Sequence, residues 1–312
     1  MAFLNAFGHY LPSRVVSNEE IGSRVGSDST WIINVSGIEE RRFADTETVA
    51  DMAVRAGQNC LNQAGLSPEE ISMVIVSSGT GERPFPGPAA EVAKRLGATQ
   101  ATGLDLPMAS AGSLFGMVLA SSIVKLYRNV LVIGAEKMSS IVLREPMEKG
   151  VAILFGDGAG ACLISEERTA SAKARVIDHQ IHSDGTYAED LRLEFEHPLN
   201  MNGRTVILQA SRKIPSAISA VLERNMRAAA DVPVYLMHQA NQNLIDRVAG
   251  ALGVDSARFF SNIRRYGNTS SASMLIAASE WFATNSLAPG TPAVFAAFGA
   301  GFHWGALLAE GA

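Results

Sequence analysis

The sequence predicts an α/β fold built twice, on three observations. Mostly apolar strand-like runs alternate with helix-patterned segments, which implies a largely parallel sheet covered on both faces. The same order of elements recurs in both halves of the chain. A Leu-Gly pair closes a helix at Leu96-Gly97 and again at Leu252-Gly253, 156 positions apart (252 − 96) in a chain of 312 residues. The halves divide as 1–168 and 169–312. No low-complexity linker separates them, so they are expected to pack as one body.

The elements follow in order. Thr48 to Ala64 has a helical pattern closed by Gly65, and after Ser67 and Pro68 the apolar strand ISMVIVSSG runs to Gly79. A helix spans about Pro88 to Leu96, and the strand TGLDLPM leads to Ala109. The next helix, AGSLFGMVLASSIVKLY, has almost no polar face and must be buried. Strands follow at NVLVIGAE and VAILFGDGAGACLI. In the second half, Pro215 to Ala229 reads as helix, VPVYLMHQ as strand and Asn243 to Leu252 as helix. The loop NIRRYGNTS precedes the helix SASMLIAASEWFA, and TPAVFAAFGAGF is the last strand before WGALLAE. On this repeat Ser110 corresponds to a position near Asn268.

Composition narrows the function. With 47% hydrophobic and 18% charged residues, the chain can bury a large core. A net charge of −5 is wrong for a surface that tracks phosphates, so nucleic acid is excluded as the main partner. The two cysteines, Cys60 and Cys162, read as buried hydrophobes, not a disulfide framework. The N-terminal segment MAFLNAFGHYLPSR lacks the charged and long apolar regions of a signal peptide, and no apolar run is long enough to span a bilayer. No membrane association and a cytoplasmic location are expected. His179 and His182 lack a third ligand, so no metal is indicated. The run Glu39, Glu40, Arg41, Arg42 reads as a solvated or domain-seam charge cluster.

Three side chains stand where such a sheet does chemistry. Ser110, in LPMASAGSLFG, lies at a strand-to-helix junction. Ala109, Ala111 and Gly112 let the backbone turn sharply there, and the following helix aims its N–H groups and positive dipole end at the serine oxygen. That placement suits a nucleophile; it equally suits an N-cap serine. His238 ends the strand VPVYLM, at the edge where open α/β sheets bind ligands, or is a structural histidine. Asn268, in YGNTSSAS, lies before an apolar helix, where asparagine commonly caps a turn.

Taken together, ASAG, HQANQNLI and GNTSSAS, in that order, resemble the Cys–His–Asn set of the β-ketoacyl-ACP synthase III family. The resemblance covers nearly the whole chain through STWIINVSGIEERR, FGDGAGA (Phe155 to Ala161), HSDGTYAEDL and AAFGAGFHWG. It implies a thiolase-like fold: two pseudo-repeated halves whose mixed, mostly parallel sheets pack as an αβαβα sandwich. The first half would carry the nucleophile, and the second His238 and Asn268. An acyl group would pass from an acyl-CoA, or an acyl carrier protein, to Ser110. His238 and Asn268 would hydrogen-bond the thioester carbonyl of a malonyl carrier, so that decarboxylation leaves a stabilised enolate.

By the same resemblance, the backbone N–H groups of Ser110 and Ala300 form the oxyanion hole, alanine standing where glycine is usual. Trp31 matches a tryptophan that stacks on the CoA adenine, and Lys149 a basic residue near the tunnel mouth. Phe298 belongs to the substrate site. Phe85, in RPFPGP, either reaches across a homodimer interface toward the partner's acyl pocket or anchors its own loop. FGDGAGA is implied to be a structural turn beneath the site, and it does not fit the G-x-G-x-x-G of nucleotide binding. No cofactor is implied, acyl-CoA being a substrate. The chain departs from the pattern at Val35, where an arginine would complete the adenine clamp, and at Asn243, Gly250 and Ala251, which leave Arg247 as the basic residue on that helix. A thinner basic patch weakens CoA binding and docking of an acidic carrier protein.

Serine in place of the nucleophilic cysteine changes the chemistry. A thiol with a pKa of about 8.5 becomes thiolate readily at a helix N-terminus. A hydroxyl ionises several units higher, beyond the roughly 1 kcal/mol a helix dipole supplies. Ser110 therefore needs a general base, and His238 is the one evident candidate. Three readings follow: a working serine ketosynthase, as in serine-bearing starter-unit synthases of aromatic polyketide pathways; an acyltransferase that forms no carbon–carbon bond; or an impaired or engineered serine variant. A non-catalytic partner subunit is set against the intact His238 and Asn268. A serine hydrolase would need the first glycine of G-x-S-x-G, absent from MASAG, and an aspartate such as Asp157, Asp178 or Asp184 to orient the histidine.

Overall fold

A computed structural model describes all residues, 1–312. The first half contains β1 (Phe3–Tyr10), β2 (Arg14–Ser17), α1 (Asn18–Val25), α2 (Ser29–Ser36), β3 (Glu40–Phe43), α3 (Val49–Ala64), β4 (Met73–Ser77), α4 (Ala89–Leu96) and β5 (Thr102–Leu106). It continues with α5 (Gly112–Ile123), β6 (Asn129–Glu136), the single turns α6 (Ser139–Val142) and α7 (Lys149–Ala152), and β7 (Gly158–Ser165). The second half contains β8 (Ala174–Ser183), the small pair β9 (Leu191–Arg192) and β10 (Asn200–Met201), α8 (Gly203–Arg224) and β11 (Val234–Met237). It ends with α9 (Gln242–Leu252), α10 (Ile263–Tyr266), α11 (Ser273–Thr284), β12 (Pro292–Gly299) and β13 (His303–Gly311).

Nine strands form one sheet in the order β11-β12-β13-β8-β1-β7-β6-β4-β5. Read outward from the β8–β1 junction, the halves correspond: β1, β7, β6, β4 and β5 on one side, β8, β13, β12 and β11 on the other. The fifth position of the second set is reduced to an isolated bridge between Tyr235 and Phe259. Leu96-Gly97 and Leu252-Gly253 end the equivalent helices α4 and α9, both glycines closing the last turn in the left-handed conformation (φ 90° and 67°). The two sides of the sheet are therefore built alike. Helices α3 and α4 cover one outer face and α8 and α9 the other, while α5 and α11 lie between the two half-sheets. That is the five-layered thiolase-like sandwich. No helix is long and apolar enough to cross a membrane.

Local rules account for much of this. Thr48 accepts the Asp51 N–H and Asp51 the Thr48 N–H, a reciprocal cap that fixes the start of α3. Helices α5 and α11, predominantly apolar, are mostly buried in the central layer.

Four expectations need correction. The sheet is less parallel than the alternation of elements suggested: β4–β5, β4–β6 and β11–β12 are parallel, but β1–β7, β1–β8, β6–β7, β8–β13 and β12–β13 are antiparallel. Each half closes on antiparallel strands that need no helical crossover. Pro215 does not start a helix. It lies buried in the middle of α8, which begins at Gly203 under an Asn202 cap; the apolar face of Ala210, Ile214, Ala217 and Ile218 holds the helix together across the missing N–H. VAILFGDGAGACLI is interrupted, because Asp157 accepts from Ala44 N–H (2.8 Å), Ser139 N–H (2.8 Å) and Ser139 Oγ (2.6 Å) and staples three loops before β7 begins. Finally, Arg41 is not solvated. Alternation along β3 points it inward, where it donates to Asn18 Oδ1 (2.8 Å) and the Ile153 carbonyl (2.7 Å) and is fully buried.

Candidate active site

Ser110 is set by a tight turn between β5 and α5. The Ala111 N–H donates to the Ala109 carbonyl (2.7 Å), closing three residues around Ser110, which is held at φ 63°, a left-handed conformation costly for a residue with a Cβ. The end of β12 lies against this turn. A Cβ at Gly299 would stand 2.4 Å from the Ala109 carbonyl oxygen and 3.0 Å from the Ser110 Cβ, so only glycine fits there. The Ser110 N–H donates to Ser270 Oγ (3.0 Å), while its hydroxyl has no partner in the chain and faces a cavity at the N-terminal end of α5.

His238 follows the last residue of β11, with its N–H donated to the Ala296 carbonyl (2.8 Å). Its Nδ1 lies 2.7 Å from Ser273 Oγ, which also accepts the Gln239 N–H (3.1 Å) and stands 3.0 Å from the Ser270 carbonyl oxygen. Burial depresses its pKa to about 4, the Ser270 carbonyl acting in the opposite direction, so the ring is neutral at neutral pH. Asn268 Oδ1 accepts the Ser270 N–H (2.9 Å), which turns the amide Nδ2 toward the cavity as a free donor.

Ser110, His238 and Asn268, each nearly buried, thus line a single cavity of about 330 Å³, together with Phe298 and Ala300. The Ala300 N–H has no partner in the chain. The Ser110 N–H is not available at rest, because Ser270 holds it: of the two expected oxyanion donors, one is free. Trp31 and Val35 line the mouth. The Lys149 ammonium lies 4.4 Å from the Trp31 ring centroid and donates to the Gly26 carbonyl (3.1 Å), covering one face of the indole. The Asn243 amide is spent on the Asn34 and Val35 carbonyls (3.2 and 3.1 Å). Phe85 is 83% exposed and lies outside the cavity of its own chain.

Sequence reasoning missed Glu136. This fully buried carboxylate at the end of β6 accepts from Ser270 Oγ (2.9 Å), Ser271 Oγ (2.9 Å), Thr80 Oγ1 (2.6 Å) and Gly79 N–H (3.0 Å), and burial raises its pKa. It ties both halves together under Ser110 and points the Ser270 lone pair at the Ser110 amide. A lone acid closing the apolar run NVLVIGAE was the available signal. The hydrolase reading fails on geometry. His238 faces a hydroxyl where a triad needs a carboxylate, while Asp157 is spent on its loops, Asp178 on Arg224 and Asn225, and Asp184 on Lys213.

Residues 104–185 match the family profile of 3-oxoacyl-[acyl-carrier-protein (ACP)] synthase III and residues 222–310 that of its C-terminal part. The β-ketoacyl-[acyl-carrier-protein] synthase III of Staphylococcus aureus (strain JH1) is 32% identical over 308 residues, 97% of each chain. The chain belongs to the β-ketoacyl-ACP synthase III family. The 3-oxoacyl-[acyl-carrier-protein] synthase III of Aquifex aeolicus VF5 superposes with a TM-score of 0.94 at 32% identity, covering 99% of this chain and 100% of that one. The priming β-ketosynthase of the R1128 polyketide pathway gives 0.90 at 30% identity, covering 100% and 96%. As a β-ketoacyl-ACP synthase III family member, this is an acyl-condensing transferase.

Proposed function

We propose that this synthase takes a short acyl group from an acyl-CoA, or an acyl carrier protein, onto Ser110 and passes it to the carbanion of a malonyl thioester. The observation that carries this reading is the convergence of the Ser110 hydroxyl, the His238 ring and the Asn268 amide on one apolar cavity. In acylation, Ser110 Oγ attacks the thioester carbonyl and its proton passes to His238 Nε2. The oxyanion rests on the Ala300 N–H and on the Ser110 N–H as Ser270 yields it. The C–S bond then breaks and the thiol leaves with the proton from Nε2. In condensation, the malonyl carboxylate departs as CO₂ and its electron pair enters an enolate held by His238 Nε2–H and Asn268 Nδ2–H. The enolate carbon attacks the Ser110 ester, the C–O bond breaks, and the serine oxygen takes a proton from water.

Trp31 and Lys149 at the mouth, and Phe298 beside the nucleophile, are the proposed substrate contacts; the mouth suits a pantetheine thioester. A homodimer is part of the same reading. The outer edge of β5 is unpaired, and Phe85 projects into solvent.

Mass spectrometry after incubation with butyryl-CoA tests the reading: the acyl mass should appear on Ser110 and vanish in Ser110→Ala. An unmodified Ser110 that leaves malonyl-CoA decarboxylation intact would overturn the serine's role and leave only the carbonyl-polarising half. An oxyester is a poorer electrophile than a thioester toward carbon, which favours a second reading: acyl transfer to a hydroxyl, amine or thiol. Ser110→Cys separates the two, since faster condensation supports the first and no gain supports the second.

A further inference from the structure

The two half-reactions make opposite demands on one atom. Acylation of a serine needs His238 Nε2 bare, to accept the hydroxyl proton; enolate stabilisation needs the same nitrogen protonated, to donate. A neutral imidazole meets both demands only by moving its proton between Nδ1 and Nε2, and the partner at Nδ1 decides which form is held. That partner is Ser273 Oγ, 2.7 Å away.

Its surroundings allow either arrangement. One lone pair of Ser273 Oγ is occupied by the Gln239 N–H (3.1 Å), and its single proton has two acceptors within reach, the Ser270 carbonyl (3.0 Å) and His238 Nδ1 (2.7 Å). With the hydroxyl turned to the carbonyl, its second lone pair accepts from Nδ1–H, and Nε2 is a base. With the hydroxyl turned to the ring, it donates to a bare Nδ1, and the proton stands on Nε2. A carboxylate in this place would accept only and hold Nε2 permanently bare. Ser273 is buried on the first turn of α11, so water does not substitute for it.

Resting on the function proposed above, we infer that Ser273 is a positioning residue whose hydroxyl rotates to supply His238 with the tautomer each half-reaction needs. In Ser273→Ala the remaining acceptor beside the ring is the Ser270 carbonyl, which favours Nδ1–H and a bare Nε2. The substitution should therefore separate the half-reactions.

The experiment measures both on wild type, Ser273→Ala and Ser273→Thr, with butyryl-CoA for acylation of Ser110 and malonyl-CoA for decarboxylation. Ser273→Ala should lower decarboxylation about 100-fold and lower acylation far less. Ser273→Thr, which keeps the hydroxyl, should restore decarboxylation. An equal fall in both rates, or none in either, would overturn the inference. ¹⁵N spectra of the imidazole give a readout independent of rates: both ring nitrogens of His238 should show intermediate, exchange-averaged shifts in wild type and a fixed Nδ1–H form in Ser273→Ala. Identical ring spectra would also overturn it. Absence of acylation in wild type would strike at the proposed function, whereas the ring spectra test Ser273 regardless.

Discussion

At Ser110 the amide is engaged while the hydroxyl is free, and burial keeps the His238 ring neutral, as the general base proposed for that hydroxyl must be. Burying that ring has a measurable consequence. Its folded pKa of about 4 lies below the ordinary 6.5, so between these values the unfolded chain binds the proton and the folded one does not. His238 therefore costs nothing above pH 6.5 and destabilises the fold progressively as pH falls toward 4, by about 2 kcal/mol at pH 5. His238→Gln removes the cost. Its melting temperature relative to wild type should rise between pH 8 and pH 5; a constant difference would mean the ring titrates normally. Asp157, raised to about 6 by burial, has the opposite sign but is common to both proteins and cancels in the comparison. Ser110, His238 and Asn268 were legible as residues because each sits at an element boundary with a distinctive string. Ser270, Ser273 and Glu136 were not, since a serine in a hydroxyl run and an acid closing a strand look ordinary until their partners are known.

Among the elements, the end of β12 and the turn before α5 come from opposite halves and meet without space for a Cβ. Gly299→Ala should destabilise the protein by about 2 kcal/mol or more, as overpacking does, and should abolish butyryl transfer to Ser110 by displacing the turn. Denaturant unfolding together with adduct mass would check this, and an acylating Gly299→Ala protein of wild-type stability would refute the contact. Helix and strand identities were mostly legible, because periodicity, the Thr48 cap and the closing glycines act within a few residues. They failed at Pro215 and at VAILFGDGAGACLI. In the first case, packing of α8 overrode a local breaker; in the second, the Asp157 carboxylate bound loops distant in sequence.

For the molecule as a whole, the nine-stranded sheet ends differently at its two sides. The β11 edge is bridged by Phe259, whereas β5 leaves Thr102, Gly103 and Asp105 exposed, and Phe85 is exposed two residues before Gly87, which packs on Asp105. An open edge with an exposed aromatic near it suits pairing with a second copy across a two-fold axis. Sedimentation should give twice the 33.1 kDa of one chain, falling to one chain mass in Phe85→Asp. A wild-type monomer would contradict the proposed dimer.

The sequence by itself determined most of the elements, the family and the three residues that line one cavity, because these lie in short-range patterns and motif strings. Only the tertiary structure decided the strand directions, the burial of Arg41, the capture of the Ser110 amide by Ser270 and the hydroxyl at His238 Nδ1. The Ser110–Ser270 hydrogen bond joins residues 160 positions apart. No local periodicity reports which of several serines will meet a given amide or ring nitrogen, because that choice is made by the packing of the two halves against each other.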